Sequence, residues 1–170
     1  KSKDRRLLAK DERELENSSM QYLSFSISIT IISWIIGMIL HALIKSKPYY
    51  TDLSNLNFIE SKRLNKAIGL GVFKWIVKNT FFKYFNQKIK LERRIQVDEL
   101  YELRKEMSIS DISHLLGFAV VTVFALVKFI YGNYSFGLVM MAVNIVLNLY
   151  PSLLQQENKR RIDKLIRIYS

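Results

Sequence analysis

The sequence predicts an all-α integral membrane protein, a helical bundle with three transmembrane helices and basic amphipathic helices at the membrane surface. Three stretches with almost no formal charge are each long enough, at about 1.5 Å per residue, to cross about 30 Å of hydrocarbon. The remaining chain is rich in lysine, arginine and aromatic residues. Only 6 Gly and 2 Pro occur in 170 residues, so few positions break a helix. We therefore expect one helical membrane domain.

The N-terminal part is predicted to contain a charged surface helix followed by the first transmembrane helix. Residues 1–21 carry charges of both signs around three leucines with helical spacing, which is typical of a short amphipathic helix. Residues 22–44 carry no formal charge, are rich in Ile and end at Lys45. Because the first residue is Lys1 and not Met, we expect the sequence to begin inside a longer product or after processing.

Residues 45–111 form a basic section that is too polar to cross the membrane. Lys74 and Lys78 share one helical face, and a neighbouring face carries residues at helical spacing, namely Phe73, Ile76, Val77, Thr80 and Tyr84. This pattern predicts a helix in the plane of the interface, with its apolar side toward lipid and its lysines toward phosphate. The alternative is a helix in solvent that packs on its neighbours.

The second and third transmembrane helices are predicted at residues 112–131 and 134–154. Only Gly132-Asn133, with a tyrosine on either side, separates them, which indicates an antiparallel hairpin with its tip at the level of the aromatic belt. A helix beginning near Glu99 is expected to continue into the second span. Residues 155–170 form a basic C-terminal tail.

Basic residues predict the orientation of the chain. Fourteen Lys and Arg lie in the basic section and more follow Asn158, so both regions are predicted to be cytoplasmic. Six further basic residues at the N-terminus would then lie on the opposite side. A first segment that enters and leaves the membrane by the same face is the alternative that removes this conflict.

Composition excludes several classes of site and partner. The chain has no Cys, so disulfides, thiolate metal sites and thiol nucleophiles are excluded, and two His are too few for a histidine metal cluster. No Gly-rich phosphate loop and no serine nucleophile motif occurs. The net charge of +11 is expected to face anionic membrane lipids rather than a nucleic acid.

One group of polar residues lies at the start of the second span. Asp111 and His114 are three residues apart and therefore neighbours on one helical face, where a carboxylate can orient an imidazole that acts as a base. Glu106 lies about 12 Å from His114 along the helix axis, so it needs another helix or a substrate to join such a site. The alternative is that Asp111 and His114 only anchor the helix at the interface. His41 has no carboxylate nearby, and we interpret it as structural.

A second group follows the last helix from the bilayer interior to its surface. Its members are polar residues at drifting helical spacing, namely Asn144, Asn148, Gln155, Asn158 and Arg161. Hydrogen bonds between helices are the simplest explanation of such amides. Pro151 should kink the helix and free a carbonyl near Leu147. A basic cluster that includes Lys159 and Arg161 is either a membrane anchor or a phosphate-binding group.

These two groups resemble the pattern of glycosyl-4,4′-diaponeurosporenoate acyltransferases, small bacterial membrane proteins that esterify the sugar of a carotenoid glycolipid. Glu106, Asp111 and His114 match the family's acidic and histidine positions, with Asp in place of the more usual Glu. The family's terminal helix pattern is matched by Asn148, Pro151, Gln155, Asn158 and Arg161. The resemblance covers roughly residues 56–162, including the stretch GVFKWIVKNTFFKYFNQKIK.

The resemblance implies an acyltransferase in the bacterial cytoplasmic (inner) membrane, acting on a lipid-like or glycolipid acceptor. It implies His114 as general base, oriented by Asp111 or Glu106. The amide of Asn148, Gln155 or Asn158 would donate a hydrogen bond to the developing oxyanion. Arg161 with Lys159 would bind the phosphates of the donor. We expect acyl-CoA as co-substrate, no metal and no bound cofactor, and a possible homo- or hetero-oligomer. The alternatives are a non-catalytic subunit or scaffold that binds a complex, lipid or pigment, and half of a transporter.

Overall fold

The chain forms a bundle of three long helices with short helices packed against one end. The structure, a computed structural model, describes residues 2–59, 61–79 and 96–169. In chain order these form α1 (Ser2–Ile44), α2 (Tyr50–Ser54), α3 (Lys62–Ala67), α4 (Leu70–Asn79), α5 (Val97–Ile130), α6 (Tyr134–Asn144), a π-helical turn (Ile145–Leu149) and α7 (Tyr150–Tyr169). No strand occurs among these residues, and the all-α prediction is confirmed.

Among the residues that the structure describes, three helical segments are long and apolar enough to cross a membrane, and each of them overlaps one of the three predicted spans. They are Glu12–Ile44, Val97–Ile130 and Tyr134–Tyr169, the last of which joins α6, the π-helical turn and α7. Between the second and third, Gly132 has a φ of +76°, which a residue without a Cβ adopts at little cost. The predicted antiparallel hairpin therefore turns at this residue.

Helix α1 differs from the prediction because it has no break between the charged N-terminal residues and the first span. Residues 2–36 contain neither Gly nor Pro, and the Ser18 hydroxyl bonds back to the Glu14 carbonyl within the helix instead of capping a new one. The two ends of one continuous helix lie far apart, so the alternative in which this segment enters and leaves by one face does not match the structure.

Aromatic contacts hold the N-terminal half of α1 against the hairpin tip. The Tyr22 and Phe136 rings stack with centroids 4.6 Å apart, and Phe25 meets the Phe136 ring edge-on. The Lys128 ammonium lies 4.7 Å from the Phe136 centroid, a cation–π distance that holds this charge at the helix end. The start of the first span and the hairpin tip are therefore at the same end of the bundle.

The basic section packs on the opposite end. At the junction with α2, His41 Nε2 lies 3.0 Å from the Tyr50 hydroxyl, which gives this histidine a structural contact. Burial raises the pKa of the Tyr50 phenol, although Lys105 opposes the shift, so the phenol keeps its proton at neutral pH.

Helix α4 packs one face on α7 through an apolar cluster of Leu70, Val77, Leu153 and Leu154. The Lys74–Glu157 ion pair, 3.0 Å long, joins the same two helices. The opposite face of α4 leaves Val72 and Trp75 exposed, as expected of a helix at an interface. The prediction that the face with Phe73 and Val77 lies toward lipid is therefore wrong, because this face packs on α7. Thr80 and Tyr84, assigned to it from the sequence, lie outside the described residues.

Candidate functional site

Helices α1 and α5 cross at small residues, and this close approach positions the centre of the site. A Cβ on Gly37 would collide with the Ser113 carbonyl oxygen, and a Cβ on Gly117 would lie 3.1 Å from the Ser33 carbonyl oxygen. Small residues of this kind allow two membrane helices to pack backbone to backbone. The crossing brings Trp34 of α1 beside His114 of α5, with ring centroids 5.9 Å apart.

An apolar cavity of about 410 Å³ lies beside this crossing, between α1, α4, α5 and the third span. This volume falls within the range of small-molecule sites. Most of its walls are hydrocarbon or aromatic, formed by Trp34, Phe73, Ile76, Val77, Val146, Leu147, Pro151 and Leu154. Three polar side chains also line it, namely Ser110, His114 and Gln155. The cavity therefore suits a lipid-like chain that presents one polar group.

The hydrogen bonds around His114 determine its tautomer. Asn144 Nδ2 donates to the Phe118 carbonyl oxygen at 3.0 Å, and a carbonyl can only accept, so Asn144 Oδ1 is left to accept from Asn148 Nδ2 at 2.8 Å. Asn148 Nδ2 also donates to the Ser33 hydroxyl. The Asn148 Oδ1 then faces His114 Nδ1 at 3.4 Å. Protonated Nδ1 leaves Nε2 of His114 without a proton, which is the form a general base requires.

The same reasoning fixes the orientation of Gln155. Asn158 Nδ2 lies 3.4 Å from Gln155 Oε1 and donates to it. Because the Gln155 oxygen faces Asn158, its amide N–H groups point the other way. Gln155 lines the cavity, so these donors are available to an oxygen of a bound ligand. Asn148, by contrast, uses both of its amide hydrogens on Ser33 and Asn144.

Asp111 and Lys159 form a buried ion pair that joins α5 to α7. Asp111 Oδ2 lies 2.8 Å from Lys159 Nζ, with the Asp111 side chain fully buried and the Lys159 side chain 5% exposed. Asp111 Oδ1 accepts from the Ser152 hydroxyl at 2.6 Å and from Gln156 Nε2 at 3.3 Å. The carboxylate is therefore directed at α7, and no hydrogen bond among the described residues links it to His114.

Glu106 and Arg161 lie outside this arrangement. Both are exposed, and Arg161 pairs with Glu157 at 3.1 Å on the helix surface. Lys159 is engaged by Asp111 and by the carbonyl oxygens of Ser54 and Leu56. The side chains of Lys159 and Arg161, predicted to bind phosphate together, thus have separate partners and do not face a common site.

The π-helical turn Ile145–Leu149 is the local irregularity that Pro151 predicts. Pro151 lacks the N–H that would bond the carbonyl of Leu147, and its ring crowds that oxygen. Wider π-helical bonding accommodates both effects, and such turns often occur at functional sites. It places Asn148 toward the bundle interior, where the side chain is fully buried.

Sequence reasoning missed two contributors to the site. Trp34 lies in the middle of the first span, whereas tryptophan in membrane proteins favours the interface, and this unusual depth was a usable signal. Its buried indole nitrogen has no partner among the described residues, so a ligand acceptor would satisfy it. Ser152, which supports Asp111, carries no signal in the sequence pattern. No group of three metal-ligating side chains occurs in the described ranges.

Comparison with known proteins identifies a family. The family model described as glycosyl-4,4′-diaponeurosporenoate acyltransferase matches residues 46–168, which include α2 to α7 and most of the cavity wall. No curated protein sequence matches the chain, and no solved structure does. The matched range begins just after α1, so Trp34 and the Gly37 crossing lie outside it.

Proposed function

Because the chain belongs to the glycosyl-4,4′-diaponeurosporenoate acyltransferase family, we propose that it transfers an acyl group from a thioester donor to a glycolipid hydroxyl. The acceptor that the family name specifies is glycosyl-4,4′-diaponeurosporenoate. The observation that carries the proposal is His114, held by Asn148 in the tautomer of a base, at the wall of an apolar cavity that Gln155 also lines.

In the proposed reaction, Nε2 of His114 accepts the proton of the acceptor hydroxyl as its oxygen attacks the thioester carbonyl carbon. The carbon–oxygen bond forms, and the carbonyl electron pair moves to oxygen. Collapse of this tetrahedral intermediate breaks the carbon–sulfur bond. The departing thiolate takes the proton from the imidazolium, so His114 returns to its starting state and no metal or redox step is needed.

The developing oxyanion requires a donor that is already oriented, since such donors contribute about 100-fold or more to the rate of acyl transfer. We assign this role to the amide N–H groups of Gln155. Asn158 Nδ2 donates to Gln155 Oε1 and so orients this amide. Asp111 and Lys159 then act as positioning residues, because their ion pair sets α5 against α7 and so sets His114 against Gln155.

The apolar walls are assigned to the acyl chain or the lipid part of the acceptor. We propose that the protein lies in the cytoplasmic membrane of a bacterium with the end that carries α4 on the cytoplasmic side. Lysine and arginine are concentrated at that end, which supports this orientation.

The test compares the two histidines of the chain. Purified protein in neutral detergent is given acyl-CoA and the glycosylated carotenoid acid, and released CoA is measured with a thiol reagent, to which this cysteine-free protein adds no signal. His114→Gln should lose about 100-fold or more in rate because an amide cannot accept and return a proton.

His41→Gln is the matched control, since His41 contacts Tyr50 away from the cavity and should keep the wild-type rate. If His114→Gln folds and turns over like the wild type, His114 is not the base. If the wild type releases no CoA with any acceptor of this class, the chain is a scaffold in which the polar network only joins helices.

A further inference from the structure

Residues 54–58, at the end of α2 and in the chain that follows it, are held by side chains from the long helices. Lys159 Nζ donates to the Ser54 carbonyl at 2.8 Å, and Gln156 Oε1 accepts from the Phe58 backbone N–H at 2.9 Å. These bonds set residues 54–58 against α7, where they form one wall of a pocket.

Two arginines complete this wall. Arg104 Nη2 of α5 donates to Asn55 Oδ1 at 2.7 Å, and Arg160 of α7 donates to Asn57 Oδ1. Arg104 Nε also pairs with Asp163 Oδ1 at 2.6 Å. Both guanidinium groups are thus oriented by neighbours rather than left free in solvent.

A polar pocket of about 240 Å³ lies between this segment and the two helices. Three cationic side chains line it, those of Arg104, Lys159 and Arg160. Lys159 is paired with Asp111 and Arg104 with Asp163, so Arg160 supplies the positive charge that no carboxylate among the described residues balances. The volume suits a single charged group rather than a whole ligand, since sites for complete small molecules begin near 300 Å³. The lining therefore favours a compact anion.

Among the residues that the structure describes, the two arginines retain hydrogen-bond donors for such an anion. A guanidinium group has five N–H donors, of which the bonds above use two in Arg104 and one in Arg160. Partly enclosed guanidinium groups with remaining donors suit phosphate oxygens, which accept two parallel N–H bonds.

The polar pocket lies next to the apolar cavity on an adjacent face of α7. Pro151 and Gln155 line the cavity, whereas Gln156 and Arg160 line the polar pocket. At about 100° per residue these pairs are on neighbouring sides of one helix. An amphiphile with an apolar chain and a phosphate is the kind of molecule that such a pair of sites suits.

We propose that the pocket formed by Arg104, Arg160 and the Asn55–Asn57 loop is a phosphate-binding site. The source of the phosphate is either the nucleotide part of a thioester donor or a phospholipid headgroup. The link to a chain in the apolar cavity rests on the proposed function, but phosphate binding itself does not.

The experiment measures binding by calorimetry with the full chain in neutral detergent micelles or in nanodiscs. Adenosine 3′,5′-bisphosphate tests whether the phosphate comes from a nucleotide. A comparison of phosphatidylglycerol nanodiscs with phosphatidylcholine nanodiscs tests whether it comes from an anionic phospholipid headgroup. Arg160→Gln should weaken binding of the recognised probe by about tenfold or more, since a charge-assisted bond is lost. Arg160→Lys, which keeps the charge without the fork, should weaken it less.

Lys164→Gln is the matched control, because Lys164 is exposed on the same helix, lines neither site and loses the same charge. His114→Gln should bind the phosphate probe like the wild type, so failure of catalysis is distinguishable from failure of this site. Binding of either probe that depends on Arg160 supports the proposal and identifies the source. Absence of binding to both probes, or loss in Arg161→Gln but not in Arg160→Gln, would overturn it.

Discussion

The buried ion pair of Asp111 and Lys159 allows a prediction of how much stability is lost when one buried charge has no partner. Both side chains are almost completely excluded from solvent, so neither charge can be screened by water. We predict that Asp111→Asn lowers the free energy of unfolding by about 3–5 kcal/mol. The amide still fits among Ser152 and Gln156, so the loss reports the unpaired Lys159 charge and not a cavity.

Glu102→Gln on the same helix is the control for this substitution. Glu102 pairs with Lys105 at 3.5 Å, but both side chains are about two-thirds exposed or more, and such pairs contribute about 0–1 kcal/mol. Unfolding in detergent with increasing denaturant measures both variants. Equal, small losses would show that the buried pair contributes no more than a surface pair.

At the level of single residues, the sequence predicts the positions of polar side chains better than it predicts their partners. The positions of Asn148, Gln155 and His114 follow from helical spacing, because polar groups at bilayer depth need partners. The partners of Asn148 and Asp111 could not be predicted, since Ser33 is 115 residues from Asn148 and Lys159 is 48 residues from Asp111. Periodicity describes one helix at a time and carries no information on which faces meet.

At the scale of helices, α1 and α5 can cross this closely because Gly37 has no Cβ. We predict that Gly37→Ala lowers the free energy of unfolding by about 1–3 kcal/mol, because the new Cβ meets backbone atoms of α5 that cannot rotate away. The same change should reduce activity, since it separates Trp34 from His114.

Gly71→Ala is the corresponding control, because a Cβ at Gly71 meets nothing within 4 Å. Alanine favours a helix over glycine, so this variant should be as stable as the wild type or slightly more so. Thermal unfolding and turnover are measured for both variants. A Gly37→Ala protein that matches Gly71→Ala in both would show that the helices are not in close contact there.

The helices themselves were largely predictable because backbone polar groups in lipid must bond within the segment. The hairpin at Gly132 and the irregularity before Pro151 follow from the conformations these residue types allow. The continuity of α1 was not predicted, since a change from charged to apolar residues looks like a boundary although neither type stops a helix. The packing of α4 on α7 depends on long-range contacts that local patterns lack.

For the whole molecule, the arrangement of helices predicts which residues share a side of the membrane. The absence of Cys allows single cysteines to be labelled with a membrane-impermeant maleimide in intact vesicles. Lys78→Cys and Lys164→Cys should react from one side, because α4 packs on α7. Asn133→Cys and Lys10→Cys should react from the other, since the hairpin tip packs against the start of the first span.

Labelling after the vesicles are opened with detergent is the control for reactivity, and all four cysteines should then react. Labelling of Lys10→Cys and Lys78→Cys from the same side would contradict three crossings. The positive-inside rule predicts a cytoplasmic basic section, but because α1 is one continuous helix, the basic residues at its start then lie on the opposite side, against the same rule.

The position of Trp34 has a practical consequence for the width of the apolar cavity. Residues 46–168 carry the family pattern, yet one wall of the apolar cavity comes from α1, which precedes them. That wall includes Trp34, whose ring also contacts the His114 ring. A smaller side chain at Trp34 should enlarge the apolar cavity and, in the proposed reaction, admit bulkier chains, but it also removes the ring contact with His114.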